Sequence, residues 1–284
     1  MTLAPLGLIC GSGSLPLEVA EGARAAGRDV FLLALRGSAD KGIERYPHAW
    51  LGLGEIGKLL KLLEKVGAKQ LVLVGGVQRP ALRDIRLDMT GLISMPEIRR
   101  LMSAGDDHLL SGVIGFLAAR GYEVIGAHEA APGLTASEGL LGARDATAAD
   151  ATSVAAGLAV LAALGPYDVG QAAVAIGRRI VAVEAAEGTD MMLRRVARLA
   201  EKGRIKREGR GGVLVKAPKP GQNLRVDLPA IGPRTIELAA AAGLTGVAVA
   251  AGGVLLAERA RIVELADSSG LFLAGVPQAA FGAP

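Results

Sequence analysis

Between Lys216 and Thr235 the chain reads KAPKPGQNLRVDLPAIGPRT, and the residue types there differ from their Ala-, Gly-, Val- and Leu-rich surroundings. Lys216, Lys219, Arg225 and Arg234 supply cations, Gln222 and Asn223 amides, and Asp227 a single carboxylate. Pro218, Pro220, Pro229 and Pro233 hold the run as an irregular loop, because proline lacks a backbone donor and is excluded from central strands and helix interiors. Cations around one carboxylate suit an anionic substrate whose bond is broken with water. Lys216, Lys219 and Arg225 would lower the pKa of Asp227 and keep it ionised. An ionised carboxylate can orient water, or hold Mg²⁺ against phosphate oxygens. The plain alternative is a solvated connector with a surface salt bridge.

Three further stretches carry weaker signals. Gly11-Ser12-Gly13-Ser14-Leu15-Pro16 follows an apolar run and matches part of a dinucleotide fingerprint, in which glycines let backbone approach a phosphate at a helix N-terminus. Pro16 stands where the third glycine belongs, and Arg36 where an acidic residue would grip a ribose. An anion- or ligand-binding turn and a plain tight turn both remain open. Gly75-Gly76-Val77-Gln78-Arg79-Pro80 follows a second apolar run and offers either ligand contact or a sharp strand exit. Glu187-Gly188-Thr189-Asp190 precedes a helix, where Thr189 or Asp190 would serve as a cap and the amides could hold a phosphate. Asp106 and Asp107 read as caps, and His108 and His128 as structural.

The elements that must position these residues alternate. Leu6–Cys10, Asp29–Leu35, Gln70–Val74 and Glu123–Gly126 read as buried strands. Leu17–Ala26, Ile56–Val66, Ser94–Ser103 and Asp107–Arg120 read as helices. That alternation predicts a doubly wound parallel sheet over residues 1–132. From 133 to 284 the character changes. A long Ala-rich helix over Thr147–Leu164 precedes a hairpin, Gln171–Ile176 with Arg179–Val183. Next come a helix over Met191–Lys202 and strands at Gly212–Val215, Gly246–Ala250 and Gly270–Ala274. Thr235–Ala242 is a helix and Leu255–Ala266 is mixed. This half predicts a second, mixed α/β domain with some antiparallel pairing.

Composition narrows the function classes. The chain has 284 residues with 21% charged, a formal net charge of +4 and only 3% aromatic residues, so no basic–aromatic surface for nucleic acid is expected. Cys10 is the single cysteine, which precludes an internal disulfide and fits core filler in a reducing compartment. His48, His108 and His128 are scattered, so a metal would be a hard cation on carboxylate and phosphate oxygens. The N-terminus lacks a basic signal-peptide start, and apolar stretches read as broken before about 18 residues, short of a membrane span. No nucleophile elbow is present, which argues against acyl transfer.

Taken together, GLICGSGSLP from Gly7, VGGVQRP from Val74, EGTD from Glu187 and K-x-x-KP-x-Q-x-x-R-x-DLP-x-IG from Lys216 resemble a known family. It is the two-domain UDP-2,3-diacylglucosamine pyrophosphatases of bacterial lipid A synthesis, unrelated to the calcineurin-like enzymes of the same step. The resemblance covers almost the whole chain in order. It implies hydrolysis of UDP-2,3-diacylglucosamine to UMP and 2,3-diacylglucosamine 1-phosphate (lipid X). It also implies Mg²⁺ dependence and a substrate in the cleft between an N-terminal Rossmann-like domain and a C-terminal catalytic α/β domain. The essential acid falls on Asp227, also the metal ligand, with Gln222, Arg225 and Asp190 as further catalytic candidates. Gly11, Ser12, Gly13, Gly75, Gly76, Val77, Glu187, Gly188, Thr189, Lys216 and Lys219 are the expected substrate contacts. Asn223 departs from the pattern, where an aspartate is expected. The resemblance implies a cytoplasmic protein at the inner-membrane face; peripheral membrane contact and a homodimer are both open. The competing readings are a non-catalytic nucleotide-sugar or lipid-binding protein and a Rossmann-type NAD(P) oxidoreductase.

Overall fold

The computed structural model describes residues 4–77, 87–93, 106–206 and 209–277, with the backbone alone at 106–109. The expected helix Ser94–Ser103, the Gln78-Arg79-Pro80 end of the second glycine turn, and the side chains of Asp106, Asp107 and His108 lie outside that description. The chain forms two compact units: Met1–Gly133 with Asn223–Asp227, and Leu134–Gln222 with Leu228–Pro284.

In the first unit, β1 (Leu6–Cys10), α1 (Leu15–Ala25), β2 (Val30–Leu35), β3 (His48–Leu51), α2 (Ile56–Val66) and β4 (Gln70–Val74) follow in order. Then come α3 (Met89–Ile93), α4 (Asp106–Ala118), β5 (Glu123–Val124) and α5 (Ala127–Ala130). Among the described residues the strands form one parallel sheet, ordered β3-β2-β1-β4-β5. Near-continuous apolar runs such as VFLLAL and QLVLV suit strands covered on both faces. Val19, Ala20 and Ala23 give α1 its buried face. Gly67, at φ 72°, ends α2 in the left-handed conformation that a side chain would strain. β2 and β4 flank β1 on opposite sides, so the strand order reverses between β1 and β4. Open α/β sheets bind ligands beyond the strand ends at such a point. Both glycine turns leave from there.

The second unit contains β6 (Gly139–Leu140), α6 (Ala148–Leu164), β7 (Ala172–Ile176), β8 (Arg179–Val183), α7 (Gly188–Glu201) and β9 (Val213–Lys216). β10 (Ala230–Ile231), α8 (Pro233–Ala241), β11 (Gly246–Ala250), β12 (Leu255–Leu256), α9 (Arg259–Ser268) and β13 (Phe272–Val276) complete it. The main sheet runs β6-β13-β11-β9-β7-β8. β9, β11 and β13 are parallel, while β6, β7 and β8 bring antiparallel pairing. The mixed α/β expectation therefore holds. β10 and β12 pair separately, in parallel.

Thr147 caps α6: its hydroxyl accepts from Asp150 N at 3.2 Å, and Asp150 Oδ2 accepts from Thr147 N at 2.9 Å. Asp150 Oδ1 also accepts from the Thr245 hydroxyl at 2.5 Å, tying the helix start to β11. Burial works to raise the Asp150 pKa, but the bonds from Thr245 and Thr147 outweigh it and hold the carboxyl below its usual range. Gly157 permits close helix–sheet packing, since a Cβ there would lie 2.5 Å from Val215 Cγ2. The expectation that no apolar stretch reaches membrane-spanning length is corrected: the helical run Ala148–Tyr167 is long and apolar enough to do so. Its inner face is packed on the sheet through Ser153, Gly157, Leu158 and Leu161.

Candidate functional site

The first unit carries the pair of turns leaving β1 and β4. They are bonded to each other. Ser12 N donates to Gly76 O at 2.8 Å, and Gly76 N donates back to Ser12 O at 3.0 Å. The Ser12 hydroxyl also donates to Gly76 O, at 3.1 Å. Gly11 N donates to Val74 O, and Gly13 N to the Asp40 carboxylate at 3.1 Å. The amides of Gly11, Ser12, Gly13 and Gly76 therefore already have partners within the protein. An anion at Gly13 N would also meet the Asp40 charge. What the glycines supply is proximity. A Cβ on Gly11 would stand 2.4 Å from Gly76 O, and one on Gly75, at φ 93°, would stand 2.7 Å from Ser12 O. Ser12, Gly13, Gly75, Gly76 and Val77 all remain exposed. Arg36, at the end of β2, bonds Glu55 at 3.0 Å and Trp50 O at 3.1 Å.

Asn223–Asp227 belongs to the first unit by its contacts, although the residues on either side belong to the second. Val226 packs against the apolar cluster of Leu33, Leu51, Leu63 and Leu71 and so anchors the segment. Asn223 forms the turn. Its Oδ1 accepts from Arg225 N and Nε, both at 3.2 Å, and its backbone oxygen accepts from Val226 N and Asp227 N. An amide oxygen does this as a carboxylate would, so the departure at Asn223 leaves the turn intact. Asp227 follows the anchor directly and is half-buried.

In the second unit the candidate residues centre on Lys216. The expectation of a loop beginning at Lys216 is corrected, because that residue ends β9 and is buried. Lys216 Nζ donates to Thr189 Oγ1 at 2.8 Å. Thr189 Oγ1 donates to Glu184 Oε1 at 2.8 Å, and Glu184 Oε2 accepts from Gln171 N at 3.1 Å. A buried ammonium is stable only when paired and hydrogen-bonded, and this chain of partners fixes where its charge points. The capping role expected of Thr189 or Asp190 is corrected too. Glu187 occupies the N-cap of α7 without a side-chain bond, and Gly188 turns the chain at φ 77°. The Thr189 hydroxyl is committed to Lys216 and Glu184 instead.

Around this centre lie several ion pairs. Asp190 meets Arg234 at 2.8 Å, and Glu187 meets Arg195 at 2.7 Å. The Glu187 carboxyl is held below its usual range by its own backbone N–H and then by Arg195. Lys219, largely covered, pairs with the exposed Asp168 just beyond α6. Lys219 N donates to Gln222 Oε1 at 2.8 Å, and Gln222 N returns to Lys219 O at 3.1 Å, closing a turn around Pro220-Gly221. Glu184, Asp168, Arg195 and Asp40 were not singled out from the sequence as site residues, and Arg234 was named only as one cation of the 216–235 run. Glu184 alone carried a signal, as a carboxylate five positions before Thr189 at a strand end.

Among the described residues no group of three or more His, Cys, Asp or Glu side chains is gathered to hold a metal ion. A protein-built metal cage is thus not part of the described site. Mg²⁺ can instead retain waters and take one carboxylate together with substrate phosphate oxygens. Cys10 is buried, and burial pushes its thiol up to about 12, leaving it inert packing.

Residues 5–134 match the family model described as the LpxI N-terminal domain, and residues 137–274 match the LpxI C-terminal domain. A Caulobacter vibrioides protein named UDP-2,3-diacylglucosamine pyrophosphatase LpxI is 43% identical over 271 residues, covering 95% of this chain and 97% of that protein.

Proposed function

This chain belongs to the LpxI family, and we infer from that membership, together with the site, how it acts on its substrate. It is a UDP-2,3-diacylglucosamine pyrophosphatase. Water adds across the P–O–P bridge of UDP-2,3-diacylglucosamine. We propose UMP and 2,3-diacylglucosamine 1-phosphate as the products.

In this reading Asp227 orients the attacking water and accepts its proton as the new P–O bond forms. The electron pair of the cleaved P–O bond leaves on the departing phosphate. Lys216, Lys219 and Arg225 neutralise the diphosphate, and Gln222 holds the turn that presents Lys219. Such transfer depends mainly on positioning and charge stabilisation. The Glu184–Thr189–Lys216 chain contributes by preorganising one cation before substrate arrives. Asp227 is the residue that would hold Mg²⁺, which would supply further charge neutralisation as a Lewis acid. Asp190 and Glu187 stand as second candidates, acting through Arg234 and Arg195. The glycine turns favour ligand approach through shape, with the Ser12 hydroxyl and Val77 exposed beside them.

Likeness to the Caulobacter protein over nearly the full length is the observation that carries this reading. Release of UMP from UDP-2,3-diacylglucosamine by the purified protein, with and without Mg²⁺, tests it. Absence of UMP under both conditions would overturn it. We place the reaction at the cytoplasmic face of the inner membrane, where a lipid-linked substrate resides. Co-sedimentation with anionic lipid vesicles checks the peripheral contact, and sedimentation velocity checks for a homodimer.

A further inference from the structure

We propose that the groove between α6 and the β11–β13 part of the second sheet holds one acyl chain of the substrate. The inference rests on the activity given above. The groove has a volume of about 570 Å³, and every residue lining it is Ala, Val, Leu or Phe. That volume is of the size ligand sites occupy. An apolar cavity gives water no partners, so its chemistry selects a hydrocarbon without polar groups.

The shape follows from the fold. α6 packs on β7 and β9, and the sheet continues past it to β11 and β13. Ala248 and Ala274 lie side by side there, so the floor stays low. Ala151, Ala155, Ala159 and Ala162 repeat at helical spacing along the facing wall, with Leu158 and Phe272 closing the sides. From Ala151 to Ala162 this wall runs roughly 16 Å at the helical rise. A slot of this kind suits an extended chain better than a compact ring.

The groove's Ala162 and Val276 end runs into the charged part of the site in the same unit. Val276 pairs with Ala250, one step beyond the Val249–Lys216 pair, so that end lies at the strand ends where Lys216 stands, although Lys216 faces the other side of the sheet from Val215, which meets Gly157 of α6. Three residues past Ala162, the space beside Gly165 is filled by Pro220, since a Cβ there would lie 2.6 Å from its Cδ. Asp168 then pairs with Lys219. A substrate whose diphosphate meets Lys219 beyond the strand ends can lay one acyl chain along α6, away from the charges. Each methylene withdrawn from water is worth roughly fourfold in affinity.

Ala155 and Ala159 are exposed helix residues, so Ala155→Leu and Ala159→Phe narrow the slot with little effect on folding. With UDP-2,3-diacylglucosamine as substrate, the double variant is expected to lose at least tenfold in kcat/KM. Hydrolysis of a UDP-glucosamine analogue bearing acetyl groups should stay within twofold. Titration of a dansyl fatty acid, read by its fluorescence, supplies a signal independent of turnover: wild type binds it, and the double variant binds it at least tenfold more weakly. Equal dansyl fatty acid binding by the two proteins overturns the proposal, as does an equal loss on both substrates. A wild-type dimer that the double variant dissociates, with fatty acid binding unchanged, assigns the groove to a second copy and also overturns it. If wild type releases no UMP from either substrate, the activity falls, and fatty acid binding still decides the groove.

Discussion

At the carboxyl ends of β1 and β4 the backbone satisfies itself, whereas at the carboxyl end of β9 side chains hold a charge in place. The glycine turns exchange Ser12 N and Gly76 O, and Gly76 N and Ser12 O. They contribute close approach rather than donors. The Lys216–Thr189–Glu184 chain contributes a buried cation with a fixed position. The two regions look alike in sequence, each a Gly- or Lys-bearing run after an apolar strand. They differ in what they offer: the first gives close backbone approach, the second a fixed cation.

Substitutions can break this contrast, and the largest effect is expected at the acid between these roles. Asp227→Ala should fold with an unchanged Tm and lose three or more orders of magnitude in turnover, about 4 kcal/mol or more of transition-state stabilisation. Near-normal UMP release by that variant would remove Asp227 from the chemistry. Lys216→Met comes next. It should cost about 10²-fold in kcat/KM, and also stability of about 1–3 kcal/mol, because Thr189 and Glu184 are left with an unmet buried partner. Chemical denaturation alongside kinetics separates the two losses.

A smaller effect is expected from Gly75→Ala. The added methyl meets Ser12 O and an unfavourable φ of 93°, so stability should fall by about 1–3 kcal/mol and KM should rise while kcat changes little. A kcat loss matching that of Lys216→Met would erase the distinction between shape and charge. Asp150→Asn lies outside both regions and should affect stability alone, by about 1–3 kcal/mol at neutral pH. The folded Asp150 pKa is depressed below its unfolded value of 3.8. Its stabilisation is therefore complete above that pH and is lost as pH falls through the depressed folded value. The gap between variant and wild type should close in that acid range, as read by urea unfolding.

Much of this architecture was legible because burial leaves a local mark. β1, α2, β4, β8 and β11 have the bounds that their apolar runs and glycine stops suggest. β3 escaped notice, since His48-Ala49-Trp50-Leu51 after Pro47 has neither alternation nor a continuous apolar run. The long helix was read correctly, but its membrane-spanning apolar length was underestimated because Asp150 and Gly157 interrupt the pattern. At the site, Asp227, Lys216 and Lys219 stood out by type and spacing. Their partners did not, because Thr189 is 27 residues from Lys216 and Asp168 is 51 residues from Lys219. Sequence shows which groups could carry charge; only the fold shows which of them hold one another.

UMP release from UDP-2,3-diacylglucosamine by Asp227→Asn tests the central claim most directly. That variant keeps the shape of the side chain and removes its charge and basicity. A loss of at least 10³-fold in kcat, with substrate still bound and folding unchanged, is the result expected. Turnover within tenfold of wild type would contradict a hydrolytic role for this carboxylate.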